Sequence, residues 1–393
     1  MVDLPASPRW SRKIAGFGTS VFSEMTRLAL AHGAVNLAQG FPDEDGPAAL
    51  KEAAVAAIRG GHNQYGRSSG VPALHATLAQ RYLRDYGLAY REGDEITVGA
   101  GATELIFCAI NALCDVGDEV ILLEPFYDAY RAAILLAGAV PRAVRLQPPT
   151  FGLPREALRQ AISPRTRAII VNNPHNPTGT TFSAEDLAFL SALCVANDLV
   201  CVADEVYEHI RFDGPHVPIA TFPGMKERTV LISSLSKSFS MTGFRVGWAL
   251  APESLSAALR AVHQFVTFSA PVPFQIAAAE PSLWEPHAFE PLATSLREKR
   301  DFLAAALTEI GFDVYEPRGT YFLCAGFGAF RFDGDDVAFA RYLTQHVGVA
   351  VIPPSAFFEA QGARVPYVRF VFCKRREVLE NAVQRLKALR RVI

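Results

Sequence analysis

The sequence predicts an α/β protein, with a mainly parallel sheet in a large unit and a smaller α+β unit beside it. Two observations lead there. From residue 94 onward the chain repeats strand, loop and helix, and the segments 168–172, 199–203 and 229–232 are nearly continuous apolar runs, as strands buried on both faces are. In addition, 393 residues exceed one ordinary hydrophobic core, yet no linker-like, charge-block or low-complexity tract divides them.

Taken in order, residues 1–15, with Pro5, Pro8 and Trp10, read as an arm. Residues 17–32 carry a helical period, with Phe22, Met25, Leu28 and Leu30 on neighbouring faces, and 35–37 is a short strand. Segment 39–47 holds two glycines, two prolines and three acids, which marks a loop whose backbone can meet a ligand. Ala48–Arg59 is the next helix, and the glycine-rich stretch after it presents Tyr65 in an open loop. Then come a strand at 95–98, the glycine turn GAGAT, an apolar helix at 104–113, a strand at 119–123, and EPFYDAY leading into another helix. In the last third, helices at 293–310 and 375–390 flank short strands at 312–314, 321–324 and 366–372.

Composition excludes several function classes. Lys and Arg number 38 against 40 Asp and Glu, a net charge near −2, with no basic footprint or arm for nucleic acid. No apolar run approaches ~18 residues and no basic-then-apolar leader opens the chain, so neither a membrane span nor a secretion signal is expected and the protein reads as cytoplasmic. The six cysteines (108, 114, 194, 201, 324, 373) are scattered in apolar segments with no C-x-x-C pair and no histidine at metal spacing; they read as core thiols in a reducing compartment, and no metal is expected.

The chemistry concentrates in residues 231–248, LISSLSKSFSMTGFRVGW. An apolar strand delivers Lys237 at its end, with Ser234 three residues before and Arg245 eight after, among small polar residues. An amine able to form an imine, beside a guanidinium and a hydroxyl able to hold a phosphate, suits a phosphorylated aldehyde such as pyridoxal phosphate. Alone, S-x-x-K also fits a serine acyl-transferase or a surface lysine. In a parallel sheet, however, ligands gather at the strands' carboxyl ends, and the residues just past each strand are complementary. Gly101, Ala102 and Thr103 open a helix whose amides suit a phosphate; Tyr127 offers an aromatic face. Asp204 follows an apolar run, so its buried carboxylate needs a cation such as a protonated pyridine nitrogen, while Asn176 and Tyr207 are donors suited to a phenolic oxygen. Each also has a purely structural reading: Asp204 as the cap of a helix from Glu205, Asn176 as a turn brace, Tyr127 as core, GAGAT as a tight turn. A dinucleotide fingerprint at Gly99 and Gly101 fails because Glu104 stands where Gly or Ala is needed.

The ordered set QGFPD, NQY, GAT, EPFYD, HNPTG, DEVYE, SLSKSFSMTGFRVGW and YVRF spans nearly the whole chain, which thereby resembles the fold-type I pyridoxal-phosphate aminotransferases of class I/II. The opening FGTSVFSEMTRLALAHGAVNLAQGFPDEDGP and the closing VRFVFCKRREVLENAV are similar to kynurenine, glutamine and methionine aminotransferases and to actinobacterial N-succinyldiaminopimelate aminotransferases. The resemblance implies a seven-stranded, mainly parallel sheet in a large cofactor domain of 46–288, and a small domain of 16–45 with 289–393. It implies Lys237 as the lysine in Schiff-base linkage to the cofactor, Asp204 as the ring-nitrogen partner, Tyr207 and Asn176 on the phenolic oxygen, and Tyr127 on the ring face. Gly101, Ala102, Thr103, Ser234 and Arg245 match the phosphate cup, and Tyr65 matches the tyrosine that reaches the neighbouring subunit's phosphate, hence a homodimer with shared sites. Arg369, with Asn176 and the Gly40 loop, matches the substrate-carboxylate site; as the one charge in an apolar strand, Arg369 also calls for an anion on its own account. Phe22, Phe357 and Phe268 of the other chain match pocket walls, which implies bulky apolar, aromatic, methionine or glutamine donors passing their amino group to a 2-oxo acid by ping-pong kinetics. Ser269 departs from kynurenine-type members that carry histidine there, and no second arginine is evident for a distal carboxylate. N-succinyldiaminopimelate transamination and β-elimination from cysteine conjugates remain alternatives. A transcription-regulator role would need a DNA-binding module, for which about fifteen leading residues are too few.

Overall fold

A computed structural model describes residues 11–14, 17–360 and 365–391; residues 1–10 and 15 of the expected arm lie outside them. Helix α1, Val21–His32, starts four residues later than its periodicity suggests, because Ser20 caps it by accepting the Ser23 N–H (3.2 Å), and it stops at Gly33 in the left-handed conformation. Strand β1, Val35–Asn36, and helix α2, Ala48–Arg59, follow as expected. Helix α3, Pro72–Tyr86, has Pro72 in its first turn and ends at left-handed Gly87; it was not anticipated.

The alternating section then runs β2 (Ile96–Gly99), α4 (Ala102–Leu113), β3 (Glu119–Glu124), α5 (Asp128–Ala137), β4 (Val140–Arg145), α6 (Arg155–Ala161) and β5 (Thr166–Asn172). It continues through α7 (Ala184–Ala196), β6 (Val200–Asp204), β7 (Thr229–Ser234), α8 (Leu235–Ser238), β8 (Gly247–Leu250), α9 (Glu253–Val266) and α10 (Val272–Ala278). The seven-stranded sheet has the order β2-β8-β7-β6-β5-β3-β4; β3 to β7 are parallel and β8 is antiparallel to both its neighbours. Strands β3, β5, β6 and β7 are buried almost throughout, as their apolar runs require, whereas β4 lies at the edge with alternating exposure and a proline. Side chains of α4, α5 and α9 form the core on one face and those of α7 on the other.

After α11 (Glu290–Ile310), β9 (Asp313–Tyr315), β10 (Phe322–Gly326), α12 (Asp336–Tyr342), β11 (Val349–Ala350), β12 (Tyr367–Val371) and α13 (Arg376–Leu386) complete the chain's regular elements. Strands β12-β10-β9 form an antiparallel sheet and β1 pairs with β11 in parallel. Their core joins α1, α11 and α13 to Val206, Tyr207 and Ile210, so the segment leaving β6 is held between the two sheets. That segment is a turn, not a helix, which removes the capping role for Asp204. No helix among the described residues is long and apolar enough to cross a membrane.

Candidate active site

A cavity of about 260 Å³ opens at the carboxyl ends of the parallel strands. Its lining includes Ala102, Thr103, Tyr127, Asn176, Asp204, Tyr207, Ser234, Lys237, Arg245 and Arg369, together with Phe22 and Gly40, so residues scattered over 348 positions of sequence meet in one place. The strands arrange this directly: β6 ends on Asp204, β7 on Ser234, and Lys237 sits in the short α8 that follows.

At one end, Gly101 (φ +89) precedes α4, and a Cβ there would stand 2.5 Å from the Arg245 guanidinium. Arg245, itself left-handed at φ +52, places Nη2 3.3 Å from the Ala100 carbonyl, so the turn and the guanidinium form a cationic cradle at a helix start. In the middle, Asp204 is 4% exposed, and burial pushes its carboxyl up to about 6 even though the Tyr130 hydroxyl donates to Oδ2 (2.5 Å) and the Val206 N–H to Oδ1 (3.3 Å). Burial pushes the Lys237 amine down to about 8, and its Nζ lies 5.7–5.9 Å from the Tyr321 and Tyr207 ring centres. Tyr207 is buried and its phenol is raised by that burial, so it remains a proton donor. Asn176 is set by its N–H donating to Asn172 Oδ1 (2.7 Å), while Asn172 Nδ2 donates to the Asp204 carbonyl (2.9 Å).

At the other end, Arg369 is 1% exposed and forms no ion pair among the described residues, although the Asp128 carboxylate acts on its charge from further away. Its Nη1 donates to Asn176 Oδ1 (3.2 Å) and Nη2 to the Ala38 carbonyl (2.9 Å), while Nε has no partner; burial lowers it to about 10. The rings of Phe22, Phe322 and Phe357 surround the guanidinium at 4.3–5.5 Å. A desolvated cation framed this way calls for an anion from outside. Gly40 is required beside it, because a Cβ would meet the Phe322 ring at 2.7 Å, and the Tyr321 hydroxyl holds the Gly40 carbonyl (2.6 Å).

Four expected residues do not line the cavity; Gly101 is one of them and only forms the turn beside Arg245. Phe357 is buried behind Phe22, ring centres 5.8 Å apart, and does not line it. Tyr65 and Phe268, 86% and 44% exposed, meet edge-on at 5.3 Å on the surface. Sequence reasoning missed Gln39, Phe41 and Phe322 in the lining and Tyr130 on Asp204; only the position of Tyr130, one helical turn after Tyr127, could have suggested it. Nor did sequence spacing pair any cysteine with a histidine, yet Glu104, Cys108 and His263 come within 4.8 Å of one another, bonded among themselves, because α9 packs on α4.

The sequence profile described as Aminotransferase class I and II matches residues 32–386. The chain is 45% identical to the probable N-succinyldiaminopimelate aminotransferase of Mycobacterium tuberculosis over 96% of this chain and 98% of that one, and the solved structure of the N-succinyldiaminopimelate aminotransferase from that organism superposes with a TM-score of 0.93 over 97% and 100%. It is 40% identical to the Escherichia coli methionine aminotransferase over 99% and 100% of the two chains. A solved E. coli structure with methionine aminotransferase function gives a TM-score of 0.92 over 98% and 100%. The kynurenine–oxoglutarate transaminase of Dictyostelium discoideum is 38% identical over 97% and 96%. The fold and this site define a fold-type I aminotransferase. The chain belongs to the class I and II aminotransferase family, an enzyme of group EC 2.6.1 whose cofactor is pyridoxal 5'-phosphate. The residues present fit that cofactor: a cationic cradle, a buried carboxylate without a cation and a half-buried amine lie along one cavity.

Proposed function

We propose that Lys237 carries the cofactor in Schiff-base linkage and that Arg369, facing it with no ion pair of its own, takes the α-carboxylate of an amino acid or 2-oxo acid. The buried, unpaired guanidinium of Arg369 is the observation that carries this reading. When bound, pyridoxal phosphate supplies a carbonyl for the amino group and a ring able to hold negative charge. Gly101, Ala102, Thr103, Ser234 and Arg245 hold the phosphate. Asp204 keeps a proton on the ring nitrogen, Tyr127 covers the ring face, and Tyr207 with Asn176 donates to the phenolic oxygen. Freed from that linkage, the Lys237 amine, its pKa brought down to about 8 by burial, would take the substrate's α-proton at Nζ and return it two bonds away, at the carbon that had been the cofactor's carbonyl carbon. Arg369, Asn176 and the Gly40 loop orient the carboxylate meanwhile, and the donor leaves as a 2-oxo acid before the acceptor binds, a ping-pong order.

The large domain of 46–288 and the small domain of 16–45 with 289–393 meet at this cavity in our reading, and the enzyme works in the cytoplasm as a homodimer. Tyr65 and Phe268 are exposed and absent from the lining of their own cavity, which supports their lending to the other subunit's phosphate and side-chain pocket. Three cations line the cavity, and each already has a task at the imine, phosphate or carboxylate. The remaining walls, Phe22, Phe41 and Phe322, with Phe357 behind, suit an uncharged bulky side chain: aromatic, methionine or glutamine. The 45% identity with the mycobacterial relative favours N-succinyldiaminopimelate as a second reading. Initial rates with a donor panel and 2-oxoglutarate separate them. Higher kcat/KM with methionine, glutamine, phenylalanine or kynurenine supports the first, and turnover confined to N-succinyldiaminopimelate overturns it. Pyruvate released from a cysteine conjugate without acceptor marks β-elimination instead.

A further inference from the structure

One buried polar cluster has no part in the site chemistry above. Glu104, the residue that breaks the dinucleotide pattern, accepts the Ala100 N–H at Oε2 (3.1 Å) and so braces the turn that presents Ala102 and Thr103. Its Oε1 accepts from the Cys108 thiol (2.9 Å) and from Nδ1 of His263 (2.8 Å). His263, fully buried near the end of α9, turns its other ring nitrogen to the Ser68 carbonyl (2.8 Å). Both ring nitrogens face acceptors, so the doubly protonated ring is the form that satisfies them. Burial works against that charge, but the Glu104 hydrogen bond raises His263 from its ordinary value.

Besides Glu104, His263 touches the two segments that carry Tyr65 and Phe268. Ser68 lies three residues after Tyr65, and the His263 carbonyl accepts the N–H groups of Thr267 (3.1 Å) and Phe268 (3.2 Å). Phe268 has φ +64, a left-handed conformation that a bulky residue keeps only where its surroundings hold it. Gln275, equally buried, repeats the cross-link: Oε1 accepts the Val71 N–H (2.9 Å) and Nε2 donates to the Ala270 carbonyl (2.8 Å). The Gln275 side chain thus bridges the two segments, the His263 ring does so through the Ser68 carbonyl on one side and the Thr267 hydroxyl (3.3 Å from Nδ1) on the other, and Tyr65 and Phe268 stand beside these ties as an exposed edge-on pair.

We propose that His263 is a positioning residue for the neighbouring subunit's active site, fixing the Tyr65–Phe268 pair that its own chain lends across the dimer. This rests on the shared-site reading above.

Mixed dimers assembled from two differently tagged chains test it. A Lys237→Ala chain has no live site but still lends an intact pair. Two quantities are read for the site that keeps Lys237: kcat/KM, and the cofactor dissociation constant from the absorbance of lysine-bound cofactor. The His263→Gln homodimer is expected to lose about tenfold in both, the scale of a small misplacement of binding groups. Pairing His263→Gln with Lys237→Ala restores the live site, because that site then receives Tyr65 and Phe268 from a chain with His263. Placing His263→Gln and Lys237→Ala on one chain, opposite a wild-type chain, transfers the defect to the wild-type chain's site. A defect that stays with the His263→Gln chain's own site, or no defect at all, overturns the proposal. Gln275→Met must give the same crossed pattern, and it replaces His263→Gln if that variant does not fold. Tyr65→Phe serves as the control: if its defect does not cross the dimer, the shared-site reading fails; if it crosses and that of His263→Gln does not, only the present proposal fails.

Discussion

Asp204 and Lys237 are shifted in opposite senses by one cause, loss of water around a charge. Asp204 has its folded pKa raised, so protonation favours the folded chain; stability present below the ordinary 3.8 is lost as pH rises through about 6. At pH 8 the cofactor-free protein then holds an unpaired buried carboxylate at a cost of about 3 kcal/mol, the 3.8-to-6 gap at 1.36 kcal/mol per pH unit. We therefore predict that Asp204→Asn stabilises the cofactor-free protein at pH 8 by up to that amount and leaves it unchanged near pH 3, while it weakens cofactor binding. Denaturant melts at the two pH values, with and without pyridoxal phosphate, check this, and a destabilised variant at pH 8 contradicts it. Arg369 gives a second prediction. If Arg369 takes the substrate carboxylate as proposed, Arg369→Gln removes a charge-assisted contact and kcat/KM for amino acids falls by about 100-fold or more, two decades at 1.36 kcal/mol each. Its effect on a donor amine that lacks the carboxylate is small, and an equal loss with both would show that Arg369 does not hold that group.

At the scale of elements, the turn after β6 shows how the rim is braced. Asp204 and Tyr207 face the cavity, whereas Glu205 and Glu208 turn away from it. Glu205 holds His216 Nε2 (2.7 Å) and the Ile219 N–H (3.1 Å). Glu208 pairs with Arg81 of α3 and accepts from Ser233 in β7 (2.7 Å) and from Tyr86 (2.8 Å). Burial opposes the charge on Glu208, yet Arg81 and its neighbours keep the carboxyl well below the usual range. Breaking such a pair strands one charge, so Arg81→Met should cost about 3–5 kcal/mol, and Arg81→Met with Glu208→Leu much less than the two single losses added together. Additive losses in urea melts would show the pair uncoupled. This brace was not legible in the sequence: Arg81 lies in α3, whose charged residues hide its apolar face, and partnership across 127 positions is a tertiary fact. The edge strand β4, interrupted by Pro141, was missed because it has no long apolar run, whereas β8 was missed although it lies in the unbroken apolar run 246–251. The polar ends of β6 and β7 were legible because an apolar run that stops on Asp204 or before Lys237 marks a strand end facing solvent or ligand. Tyr130 was not, since a tyrosine in an amphipathic helix carries no sign of what its hydroxyl meets.

For the whole molecule, two sheets share one cavity, and Tyr65, Phe265, Val266 and Phe268 leave apolar surface exposed outside its lining. Such a surface suits an interface of standard size, about 1,200–2,000 Å². If the proposed homodimer forms through it, Phe265→Asp should shift the protein toward monomer at micromolar concentration in sedimentation, with activity falling in parallel; an unchanged dimer would place the interface elsewhere. The claim that joins all three scales is that Lys237 alone carries the cofactor. Borohydride reduction of the holoenzyme followed by tryptic peptide mass mapping tests it most directly. The account predicts a pyridoxyl group on the peptide TVLISSLSKSFSMTGFR, spanning residues 229–245 and left uncut at Lys237. A label on any other lysine, or none in a protein that transaminates, would contradict it.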